Sequence, residues 1–110
     1  MLATEKMNMK NVSLKEITLK LPKDVADDIS AQDIVGMYRD KAVTMAEYYR
    51  SRCREFEGKY GMVFNAFKKK VESAKKEKMS EWDDLIVWEG FELAHFEWKN
   101  KSKELRKCCA

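Results

Sequence analysis

One proline and four glycines in 110 residues leave the chain few places where a helix has to stop. Proline removes a backbone donor and glycine weakens a helix interior, so everything beyond Pro22 can run as long helices. Histidine occurs once, at His95, and cysteine three times, at Cys53, Cys108 and Cys109. Such a set lacks the spaced ligands of a zinc site. Its odd number, with two members adjacent, also excludes the even framework of a secreted disulfide scaffold and suits reduced thiols in a cytoplasm. No apolar run approaches the roughly 18 residues that span a bilayer, and the opening residues lack the apolar stretch of a signal peptide. A cytoplasmic protein with no membrane partner is expected. Charge of neither sign dominates: 22 Lys and Arg face 19 Asp and Glu, a formal excess of +3. Phosphate binding needs a concentrated basic surface, so only local patches could provide it.

Catalytic patterns are missing as well. There is no glycine-rich phosphate loop and no Gly-x-Ser-x-Gly elbow. Asp83 and Asp84 are neighbours, but adjacent helical positions point about 100° apart and cannot share an acid-base site. The chain is therefore expected to be no enzyme, with no catalytic residue, no metal ligand set and no cofactor. Lys68, Lys69 and Lys70, with Lys75, Lys76 and Lys78 beyond, could touch phosphates, yet Glu72 and Glu77 dilute them and a solvated helix face explains them more simply.

What the sequence does contain is 45% hydrophobic and 37% charged residues, the latter well above the roughly 25% of an average globular domain. That balance suits long helices with wet outer faces in one mainly all-α domain. Residues 1–13 show no period and read as a flexible arm, leaving 14–110 as a single helical domain with an N-terminal strand. The strand is expected at about 15–21, where Ile17, Leu19 and Leu21 alternate with Glu16, Thr18 and Lys20 until Pro22 ends the pattern. A lone strand cannot satisfy its own backbone, so it must pair with a second copy, join a partner's sheet edge or stay unpaired.

Pro22 to Ile29 can form one or two helical turns. Ser30, with Asp33 three residues on, then makes an acidic capping box that starts a long helix at about 31–59. Its apolar stripe, Ile34, Tyr38, Ala42, Met45, Tyr49, Cys53, Phe56 and Tyr60, repeats every eleven residues, which favours a nearly straight rod. Gly58 and Gly61 mark its end. Phe64, Phe67 and Val71 place a short helix at about 63–74, Glu72 to Lys78 reads as a solvated connector, and Ser80 with Asp83 is expected to cap a long final helix at about 81–106.

That last helix is apolar on two sides. Trp82, Leu85, Ile86, Leu93 and Phe96 fall on one, while Val87, Trp88, Phe91, Ala94, Trp98 and Leu105 fall opposite, with Asp84 and His95 among them. Either the preceding helices cover both faces within the chain, or a partner or second copy covers one of them. Burying a large aromatic side chain is worth about 1.5–3 kcal/mol, so Trp88, Phe91 and Trp98, with His95 beside them, are the expected partner anchors.

Two stretches carry a family likeness. Phe56-Glu57-Gly58-Lys59-Tyr60-Gly61-Met62 with Phe64 and Phe67 resembles a segment of small antitoxins from prokaryotic toxin–antitoxin pairs, and Trp82-Asp83-Asp84 through Trp88-Glu89-Gly90-Phe91 resembles their following acidic-aromatic helix. The likeness implies a protein that binds and silences a co-encoded toxin by steric occlusion, with Ile17, Leu19 and Leu21 adding a strand to the partner. Separately, Ile17-Thr18-Leu19-Lys20-Leu21-Pro22 is similar to the strand that opens ribbon-helix-helix DNA-binding domains. That likeness implies a regulator whose Thr18 and Lys20 face the bases, with Lys68, Lys69 and Lys70 as further nucleic-acid contacts. A structural homodimer or larger bundle, in which self-association covers both faces, is the third expectation.

Overall fold

A computed structural model describes residues 13–109. The expected arm therefore lies, apart from Ser13, outside the described residues. Among the described residues four helices follow one another: α1 (Lys23–Asp28), α2 (Ala31–Tyr60), α3 (Phe64–Ser73) and α4 (Met79–Cys109). The two long ones run antiparallel as a hairpin, and α3 packs beside α4 at the closed end.

The caps of α2 are built as the sequence implies. Ser30 Oγ accepts from the Asp33 amide at 3.1 Å, and the Asp33 carboxylate accepts from the Ser30 amide at 2.8 Å. Two of the donors left over at a helix start are thus satisfied reciprocally. At the other end Gly61 adopts φ 66°, and its amide donates to the Glu57 carbonyl at 2.8 Å. A Cβ at that left-handed position costs about 1–2 kcal/mol, which is why glycine sits there.

Two expectations are corrected. Residues 13–22 include no strand: they run as exposed chain without regular structure, because the alternating side chains find neither a second strand nor a sheet edge among the described residues. The final helix starts earlier than Ser80. It begins at Met79, with the Lys78 carbonyl accepting from the amides of Glu81 and Trp82, so Ser80 and Asp83 lie inside it rather than capping it.

The core sits at the closed end of the hairpin. Cys53 of α2, Phe67 and Val71 of α3, and Leu85 and Trp88 of α4 are buried together, with Phe56, Tyr60, Met62, Phe64, Trp82 and Phe91 packed around them. The Trp88 indole is 0% exposed. It stacks on Phe56 at 5.5 Å and 14°, lies 5.3 Å from Phe67, and meets Phe64 edge-on at 5.4 Å. Its Nε1 donates to Glu92 at 3.2 Å, satisfying the one polar atom of a buried ring. Away from this centre the long helices touch through small residues, Ala42 and Ala46 being buried, and the rod thins.

The radius of gyration is 19.9 Å, against about 13 Å for a compact domain of this length. With extents of 61 × 40 × 20 Å, the molecule is elongated, and far more of its large hydrophobic side chains are exposed than buried.

Replacing Trp88 by Ala removes the ring on which three helices converge, and a loss of about 3–5 kcal/mol is expected from its core position. Ser30→Ala, which removes only the cap, should cost about 1 kcal/mol. Urea unfolding followed by helical circular dichroism measures both, the first as a large drop in midpoint and the second as a small one.

Candidate functional site

The two faces of α4 have different fates. The face bearing Trp88 and Phe91 meets α2 and α3; of the residues expected on the other face, Trp82 and Leu85 turn into the core instead, whereas Ile86 is 67% exposed, Leu93 59% and Phe96 62%. Ile86 and Leu93 are seven residues apart, about two helical turns, and so project from the same side. Gly90 lies between them with no atom within 4 Å of where a Cβ would stand. Asp83 and Glu97 flank this row and are exposed too.

The expected anchors are placed accordingly. Trp88 is corrected from a surface residue to a core residue, because Cys53, Phe56, Tyr60, Phe64 and Phe67 of the earlier helices supply enough apolar surface to enclose it. Phe91 is half-buried between Tyr49 and Phe56, with the Arg52 guanidinium 5.2 Å above its ring. Trp98 is half-buried beside Tyr38, and the ammonium groups of Lys41 and Lys101 lie 5.8 and 4.3 Å from its ring. Such cations over an indole contribute about 0.5–1 kcal/mol each and keep a partly wet ring attached to the rod. His95 donates from Nδ1 to the Ala46 carbonyl at 2.9 Å, tying α4 to α2 where the interface is otherwise made of small side chains.

Ile17 and Leu19 stand out in water on the extended segment. Leu19 and Leu21, with Val25, Ile29, Ile34, Met37 and Tyr38, line an open apolar groove of about 450 Å³ where the segment and α1 fold back along the start of α2. Sequence reasoning named Ile17, Leu19 and Leu21 but missed the groove, whose other wall comes from the part of the α2 stripe that α4 leaves uncovered. Thr18 and Lys20 are exposed in the same segment.

Ion pairs lock the closed end. Lys59 and Tyr60 of α2 both donate to the Asp84 carboxylate of α4, the former at 2.7 Å. Lys68 of α3 reaches Glu89 at 3.0 Å and Lys70 reaches Glu81 at 3.7 Å. Two of the three lysines expected to meet phosphates are thus turned toward carboxylates of α4, and only Lys69 is left without such a partner.

The Lys59 ammonium, then the Tyr60 hydroxyl, hold the Asp84 carboxyl below its usual range. Burial first, then Asp84, pushes the Tyr60 phenol up to about 12. Burial beside Glu92 pushes the Cys53 thiol up to about 12, which leaves it an unreactive apolar filler.

Among the described residues no group of three or more His, Cys, Asp and Glu side chains is arranged to hold a metal ion. No helix among them is long and apolar enough to cross a membrane. Compared with family models, curated proteins and solved structures, the chain matches none.

A depressed carboxyl pKa stabilises the fold at pH values above its unfolded value of about 3.9, and that stability is lost as pH falls through the lower folded value. Asp84→Asn should therefore destabilise the protein at pH 7 and much less at pH 2–3. Urea midpoints of both forms across this range check it: the gap between the curves narrows in acid.

Proposed function

We propose that this chain is a protein-binding protein of the cytoplasm that neutralises a co-encoded toxin by covering its active face. The observation that carries the reading is the outward row of α4, where Ile86, Leu93 and Phe96 stay in water although they are spaced to lie on one side of a rigid helix. An amphipathic helix of this kind fills an apolar groove through anchors one or two turns apart. Phe91, His95 and Trp98, half-buried at the seam with α2, would border the contact rather than centre it. The extended segment adds a second arm, since Ile17, Leu19 and Leu21 have the alternation of a strand and unpaired backbone with which to extend a partner's sheet edge. The likeness of residues 56–67 and 82–91 to toxin–antitoxin antitoxins supports a toxin as that partner.

A structural homodimer rests on the same exposed row of α4, which a second copy could also cover. The ribbon-helix-helix reading draws less support: Thr18 and Lys20 lie on unpaired chain, and Lys68 and Lys70 are engaged by Glu89 and Glu81.

The decisive variant alters the outer row without touching the core. Ile86→Asp combined with Phe96→Asp should keep the helical signal and melting temperature near those of the parent protein. It should weaken binding to the toxin encoded by the adjacent reading frame by at least tenfold, measured by calorimetry. A folded double variant that binds and protects cells as well as the parent ends the proposal. Sedimentation of the parent protein alone addresses the homodimer: a strictly monomeric species removes it.

A further inference from the structure

A second groove lies toward the open end of the hairpin, on another side of the rod. Its walls are two helical rows, Val43 to Arg54 on α2 and His95 to Arg106 on α4, and it encloses about 460 Å³. Each row spans twelve residues, and because His95 meets Ala46 the rows extend in opposite directions from that contact, so at 1.5 Å per residue the lined surface runs about 28 Å along the rod. The space exists because the α2 floor is Ala46, a side chain too small to fill it. Arg50, Arg54, Lys99 and Arg106 reach it from both helices, opposed by the lone carboxylate of Glu47.

Most of this charge is uncompensated. Arg50 is held by Glu57 at 2.9 Å, but Arg54, Lys99 and Arg106 have no ion pair among the described residues. Ser102, in the α4 wall, is only 7% exposed, yet its hydroxyl makes no hydrogen bond to any described residue. Its Oγ keeps contact with solvent in the groove and so offers a free donor beside the cations. Beyond the groove the basic character continues along α4, where Arg106 is joined by Lys103 and Lys107 at the helix end.

We infer that this groove binds the phosphate backbone of single-stranded nucleic acid. From the contact of His95 with Ala46, Arg50 and Arg54 lead toward the closed end and Lys99 and Arg106 toward the open end, and such a line of cations follows a linear polyanion better than it surrounds a single ion; arginines with a serine hydroxyl are ordinary phosphate ligands. Packed helices leave a slot for one strand. An acidic protein segment would be expected to insert an aromatic or large aliphatic anchor, and the groove provides only Val43 and Ala46 to receive one. With no Phe, Tyr or Trp in the lining, phosphate contacts dominate, so binding is sequence-independent and strongly salt-dependent. This surface is separate from the outer row of α4 and does not depend on the toxin reading.

The test is fluorescence anisotropy of the whole protein with a fluorescein-labelled 20-nucleotide single strand of mixed sequence, from 25 to 200 mM salt as roughly the range over which phosphate contacts are lost. The parent should bind at low salt with a steep negative slope of log affinity on log salt. The variant Arg54→Gln, Lys99→Gln, Arg106→Gln, checked for unchanged helicity, should lose at least tenfold in affinity and flatten that slope by about 2 units, near 0.7 per lost contact. The matched variant Lys68→Gln, Lys69→Gln, Lys70→Gln should bind as the parent does. An unchanged slope in the groove variant, equal losses in both variants, or no binding by the parent at low salt overturns the site. Tighter binding of a 20-base-pair duplex, or displacement of the probe by polyglutamate as readily as by unlabelled strand, overturns the assignment of its ligand.

Discussion

The burial of one indole organises this molecule. Trp88 stands where α2, α3 and α4 converge, and four aromatic rings from the first two of these helices lie within about 6.5 Å of it by centroid. Those contacts bring the glycine-terminated end of α2 against the first half of α4 and hold α3 in the angle between them. The ion pairs Lys59–Asp84, Lys68–Glu89 and Lys70–Glu81 ring the same point. Exposed pairs of this sort add little energy individually, so they set register around a centre that apolar burial has already stabilised.

Concentrating the core at one end has a consequence at the other. From Ala46 outward toward the open end, the hairpin is held by small residues, by the His95 hydrogen bond and by Tyr38 with Trp98 under two lysines. A rod with so thin a seam cannot fold its remaining apolar residues inside. Most of them stay on three surfaces instead: the outer row of α4, the segment before α1, and the groove that segment forms with the start of α2. These apolar surfaces are long and shallow. The cationic groove is the exception in chemistry, being polar where the other surfaces are greasy.

Much of the local structure was legible in the residue order. The Ser30–Asp33 box and Gly61 delimited α2 because capping is chemistry between neighbours in sequence. The long helical periods and the rarity of proline left little alternative to a helical rod. The signal failed where an element's fate depended on a distant partner. The alternation at residues 15–21 is that of a strand, but a strand exists only when another chain segment answers its hydrogen bonds, and none among the described residues does. Ser80 with Asp83 had the spacing of a cap and was overridden when the helix took in Met79.

The two-faced character of α4 divides what sequence and tertiary structure each decide. Helical periodicity alone determined that Trp88 and Phe91 point away from Ile86 and Leu93, since side-chain direction on a helix follows from position. Which face would be covered was a matter of how α2 and α3 return across α4, and the larger aromatic face won because it offers more apolar area to the phenyl and phenol rings of those helices. The groove of Arg54, Lys99, Ser102 and Arg106 belongs wholly to the second category: its members are scattered over 53 positions and acquire a common purpose only when two antiparallel helices set their rows side by side.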